Sequence, residues 1–133
     1  MNYAISYVST ADINLTSEQI DEVLKWSENW NNSHHIKGLL IYSDGNFLQV
    51  IEGEKEIILR LFEGIKKDAR HHNIIKIFGK EIESESFDDY KSDFLSEHRK
   101  YDEETLGRYL NNIQTLDQGS QKVVQTMLNA FVN

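Results

Sequence analysis

Hydrophobic and polar positions alternate over residues 3–9 (YAISYVS), and the side chains there favour extended backbone, which predicts a first strand. Thr16 then opens a helix, with Gln19 three residues on to complete a capping box. The apolar positions Ile20, Val23, Leu24, Trp26 and Trp30 fit one broad helical face, and the run WNNSHH after them predicts fraying. Residues 36–42 (IKGLLIY) and 46–52 (NFLQVIE) predict two more strands, with Ser43-Asp44-Gly45 supplying the turn of a tight hairpin. The segment EKEIILRLFEGIKKDAR places Ile57, Ile58, Leu61, Phe62 and Ile65 on one face of a second helix. Its early acids and late Lys66, Lys67 and Arg70 suit the helix dipole. Residues 73–83 predict a fourth strand and 89–95 a weaker fifth.

The order β-α-β-β-α-β(β) is that of an α+β, ferredoxin-like sheet with two helices on one face. In that topology the first and third strands are central neighbours. After about residue 97 the pattern becomes helical. Leu106, Tyr109, Leu110 and Ile113 form one stripe; Val123, Val124, Met127, Leu128 and Phe131 form another. Asp117-Gln118-Gly119 separates them, with Ser120 as the cap. The expected division is a domain over 1–97 and a two-helix C-terminal extension over 98–133. The extension has apolar faces to bury, either on the open face of the sheet or on a second subunit.

Composition narrows the classes. A chain of 133 residues with 39% hydrophobic and 27% charged residues is an ordinary single globular domain. The absence of cysteine excludes disulfides and thiolate metal sites. The N-terminus lacks the pattern of a secretory signal, and no stretch approaches the roughly 18 apolar residues of a membrane span. The expectation is a cytoplasmic protein without membrane contact. A net charge of −8 argues against nucleic-acid partners. His34-His35 and His71-His72 are adjacent pairs whose side chains point apart, so no metal is expected. Hydrolase, P-loop and dinucleotide-fold glycine motifs are all missing.

Two residues do not fit a simple core. Gln49 sits among Phe47, Leu48, Val50 and Ile51 on a central strand, where an unpartnered amide costs about 1–3 kcal/mol. Tyr7, on the neighbouring strand, is placed to be its partner. On spacing alone the pair is either a register-fixing contact or part of a site. Asn31, at the fraying end of the first helix, reads on its own as an ordinary helix C-cap.

The segments ISYVSTA at 5–11, NNSHHIKGLLIYSDGNFLQVIEG at 31–53 and DARHH at 68–72 resemble the BLUF family, sensors of blue light using FAD. The resemblance is collinear over residues 1 to about 95. It implies a ferredoxin-like sheet holding a flavin between two helices, FAD first, with FMN or riboflavin as alternatives. It also implies a non-enzymatic photoreceptor. Tyr7 matches the family's photoactive tyrosine and Gln49 the glutamine bridging it to flavin. Asn31 matches the asparagine at the polar edge of the ring, and Ser27 a pocket-lining position. Asp68, Arg70 and His71, with Phe47, complete the implied cofactor set. Excitation would draw an electron and a proton from Tyr7, and the amide of Gln49 would settle in a new arrangement.

The family's Phe-x-x-Trp-Ser-Met on the fifth strand is here Phe87-Asp88-Asp89-Tyr90-Lys91-Ser92, so Tyr90 and Ser92 stand at the positions associated with output. Gly64 occupies a position that is often arginine. No catalytic segment is seen after residue 97, so the expected output is contact with a downstream protein or with a second copy in a homo-oligomer. The alternative is a regulatory ferredoxin-like module without photochemistry.

Overall fold

The computed structural model describes residues 1–83 and 90–95, together with residues 118, 119, 122, 125 and 126, which are helical. The elements are β1 (Asn2–Ala11), α1 (Ser17–Ser33), β2 (Lys37–Ser43), β3 (Asn46–Glu54), α2 (Lys55–Lys66), β4 (His71–Ile82) and β5 (Tyr90–Leu95). The helical hairpin expected over 98–133, and the boundary at 97, lie outside the described residues apart from those five positions.

The strands form one sheet in the order β4-β1-β3-β2-β5. The first four are antiparallel, and β5 joins the edge of β2 in parallel. β1 and β3 are neighbours in the middle, as the topology requires. Ile5, Leu40, Phe47 and Ile51 form the floor against which Ile20 and Leu24 of α1 and Ile58 and Phe62 of α2 pack. The opposite face is buried as well, with Ala4, Ile41, Leu48 and Val50 fully enclosed. Gly38 is required where β2 crosses β3: its φ is +142°, and an added Cβ would lie 1.9 Å from the Val50 carbonyl oxygen.

The capping box forms as read, with the Gln19 N–H donating to Thr16 Oγ1 at 3.1 Å and the Thr16 N–H to Gln19 Oε1 at 2.9 Å. Three local expectations change. Helix α1 continues through Asn31 and Asn32 to Ser33, and His34 is the cap. Tertiary contacts override weak propensity there, because Asn31 is buried and the Trp30 ring stacks on His34 at 3.9 Å. Helix α2 stops at Lys66, so Asp68 and Arg70 belong to the turn before β4. Trp26 leaves the core stripe: it is 55% exposed, while Ile20 and Leu24 point inward. It sits with Val23, Ser27 and Trp30 along the side of α1 that lines a cavity.

Candidate functional site

Register sets the first part of the site. Tyr7 on β1 lies directly opposite Gln49 on β3, so both side chains project from the helix-covered face. Irregularities in the pairing with β4 fall on both sides of Tyr7, between Ser6 and Tyr7 and between Val8 and Thr10. The Tyr7 hydroxyl donates to Gln49 Oε1, and Gln49 Nε2 donates to the hydroxyl of Tyr90. Ser6 Oγ holds the Gln49 backbone from the other face, donating to its carbonyl oxygen at 3.1 Å.

Tyr90 is therefore not a remote position. It opens β5, opposite Gly38, and is wholly buried. Asn32 clamps its backbone from the last turn of α1: the Tyr90 N–H donates to Asn32 Oδ1 at 2.8 Å, and Asn32 Nδ2 donates to the Tyr90 carbonyl at 2.9 Å. The buried Asn31 side chain bears on the Tyr90 hydroxyl. Burial pushes both tyrosine hydroxyls well above the ordinary value of 10.0, so both are neutral donors and acceptors.

Tyr7, Asn31 and Gln49 close the inner end of a cavity of about 560 Å³ between α1 and α2. Val23, Ser27, Trp30 and Asn31 form one wall, Ile57, Leu61, Gly64 and Ile65 the other, and Tyr7, Leu40, Phe47 and Gln49 the floor. Asp68, Arg70 and His71 also line it. The His71 Nε2–H donates to the Ile65 carbonyl at 2.7 Å, which leaves Nδ1 to accept from Ser9 Oγ at 2.7 Å. The ring so fixed stands edge-on to Tyr7 and Phe47, with centroids 6.1 and 6.3 Å away. Arg70 binds Asp68 through Nε at 2.9 Å, through Nη2 and through its backbone N–H at 3.0 Å. This pairing holds the Asp68 carboxyl below the usual carboxylate range.

All eight residues expected to bind cofactor (Tyr7, Ser27, Asn31, Phe47, Gln49, Asp68, Arg70 and His71) line this one cavity. Ser92 lies on β5 opposite Leu40. Missed in the sequence were Trp26, His34 and Arg60, which are exposed and also line the cavity, and the Asn32 clamp. The spacing of Trp26, Trp30 and His34 at i, i+4 and i+8 was the available signal. Among the described residues no group of three metal-ligating side chains is found. An apolar slot with a few placed polar groups at its closed end suits a planar heteroaromatic molecule with one hydrogen-bonding edge.

The sequence profile described as "BLUF: Sensors of blue-light using FAD" matches residues 3–93. The chain is 24% identical over 83 residues to a photoactivated adenylate cyclase subunit beta of Euglena longa, covering 62% of this chain and 10% of that protein. It is 27% identical over 60 residues to the blue light- and temperature-regulated antirepressor BluF of Escherichia coli (strain K12), covering 45% of this chain and 15% of that protein. The chain thus spans a small fraction of the length of these curated relatives. Among solved structures, the photo-activated state of BlsA superposes with a TM-score of 0.70 at 29% identity, covering 99% of this chain and 95% of that one. The dark state of BlrB, at 22% identity and a TM-score of 0.69, shares the fold over 97% of this chain and 96% of that one.

Proposed function

Because the chain belongs to the BLUF family, sensors of blue light using FAD, we propose that its light response runs through the hydrogen-bonded series Tyr7–Gln49–Tyr90. The protein is a blue-light photoreceptor that binds a flavin. In this reading the ring occupies the slot between α1 and α2. Asn31 and Gln49 meet its polar edge, while Ser27, Phe47, Asp68, Arg70 and His71 surround the remainder. FAD is the bound form, and FMN and riboflavin fit the same slot. Bound flavin supplies a chromophore that blue light turns into a strong oxidant.

The chain's own residues supply the rest. Tyr7 is held neutral by burial. A buried phenol that gives up an electron must give up its proton too, because an unpaired charge there is too costly. Gln49 Oε1 already accepts the hydrogen bond from that proton. Turning the amide exchanges Oε1 and Nε2 between the two tyrosines, so the Tyr90 hydroxyl donates where it had accepted. Return of the electron and proton to Tyr7 leaves the same atoms in a rearranged network, which is a two-state switch.

The output passes through β5, which carries Tyr90 and Ser92, to a protein surface. The partner is a downstream protein or a second copy of the chain, and no substrate is turned over. The Tyr7–Gln49 hydrogen bond at the cavity floor carries this reading. The test uses purified protein supplied with FAD, FMN or riboflavin and the variant Gln49→Leu. The native protein takes up flavin and shows a small, reversible red shift under blue light; the variant keeps the flavin and loses the shift. An unchanged shift in Gln49→Leu contradicts the relay, and failure to bind any flavin contradicts the photoreceptor.

A further inference from the structure

Trp26 is the largest apolar side chain left in solvent on α1, and it stands at the rim of the cavity. Its ring stacks on Trp30, with centroids 6.0 Å apart and planes 20° from parallel. Trp30 in turn stacks on His34 at 3.9 Å and 15°. The three rings form a ladder up one side of the opening, and its end ring faces water. The Arg70 guanidinium stands over the Trp26 ring, 5.8 Å from its centroid, at the outer limit of a cation–π contact of about 6 Å, so a ligand ring at Trp26 has that weak contact to displace. Arg70 is spent on Asp68, which neutralises it and fixes it as a lip. Arg60, on α2 across the opening, is exposed and has no ion pair among the described residues. In a protein of net charge −8, a free guanidinium at a cavity mouth is a local exception that favours an anion.

The inner end of the same cavity is closed by Tyr7, Asn31 and Gln49, each only 4% exposed. A ligand whose ring fills that end must send any further part out past Trp26 and Arg60. We propose that Trp26 and Arg60 form a subsite for the adenosine diphosphate half of a flavin dinucleotide, with the purine stacked on Trp26 and the diphosphate facing Arg60. The inference rests on the photoreceptor reading for the ring end, and it goes further by giving the chain a preference among flavins. Stacking an adenine on tryptophan has a plain physical basis, since any base offers a π face to an aromatic ring. The ladder beneath Trp26 holds the ring in place, so little ordering remains to be done on binding.

The chain has two tryptophans, and both belong to this ladder, so with the ring end already filled a change in tryptophan fluorescence reports on the mouth of the cavity. The experiment measures dissociation constants of the flavin-free protein for FAD, FMN and riboflavin, in the native form and in Trp26→Ala and Arg60→Gln. It also titrates ADP into riboflavin-loaded protein while following tryptophan emission. FAD is expected to bind on the order of tenfold more tightly than riboflavin. Trp26→Ala should remove most of that gap and Arg60→Gln part of it, the loss falling on FAD and much less on riboflavin in both. ADP alone should quench the tryptophans. Equal affinities of native protein for FAD and riboflavin, with no response to ADP, would overturn the subsite and leave the photoreceptor intact. Failure of all three flavins to bind would overturn both.

Discussion

Gln49 illustrates how far a single residue can be read. An amide in an apolar strand demands a partner, and alternation plus the expected strand order pointed to Tyr7. The second partner was not legible. Tyr90 looked like a replacement at an output position, and only the parallel pairing of β5 with β2 brings its hydroxyl to Gln49. Tyrosine matters there because a hydroxyl both accepts and donates, whereas an indole N–H only donates. Tyr90 therefore stays bonded to the amide in either orientation. Tyr90→Phe strips Gln49 Nε2 of its acceptor in a buried site, and urea denaturation should register a loss of about 1–3 kcal/mol. The two hydroxyls also set an alkaline limit. Their folded values lie above the ordinary 10.0, so the stability they contribute is complete below pH 10 and declines as pH rises past it. Phenolate absorbance from Tyr7 and Tyr90 should appear only together with loss of near-ultraviolet circular dichroism; Tyr7→Phe/Tyr90→Phe should weaken that alkaline transition.

At the scale of elements, periodicity located β1–β5, α1 and α2 among the described residues, and apart from Trp26 the misreadings fell at element ends. WNNSHH is poor helix sequence, yet α1 persists because Asn31 is buried, Asn32 grips β5 and Trp30 stacks on His34. None of those tertiary contacts is written in local propensity. The exit of Asp68 and Arg70 from α2 has the opposite cause: a local carboxylate–guanidinium pair competes with further helix. Two glycines separate steric need from conformational need. Gly38 has φ +142° and a backbone oxygen 1.9 Å from where a Cβ would sit; Gly45 has φ +83° and open space around it. Gly38→Ala should cost about 3 kcal/mol or more, and Gly45→Ala about 1–2 kcal/mol, in urea midpoints at unchanged slope.

At the scale of the molecule, the sheet divides into two buried faces, and the cavity belongs to the face under the helices. That division follows from alternation: Ile5, Tyr7, Phe47, Gln49 and Ile51 share one side, while Ala4, Leu48 and Val50 share the other. The ferredoxin-like order, and the meeting of Tyr7 with Gln49, could be read from the chain because both depend on local pattern and on a small set of topologies. The spacing of the aromatic ladder could be read as well, but not its place at the rim, since an exposed tryptophan has the same spacing as a buried one. In the proposed light response the Tyr7 hydroxyl is the group that answers the excited flavin. The most direct test of that role is a light-minus-dark difference spectrum of flavin-loaded protein, native against Tyr7→Phe. The native protein should show a reversible red shift of the flavin band and the variant should bind flavin with none; the same shift in Tyr7→Phe would contradict the account.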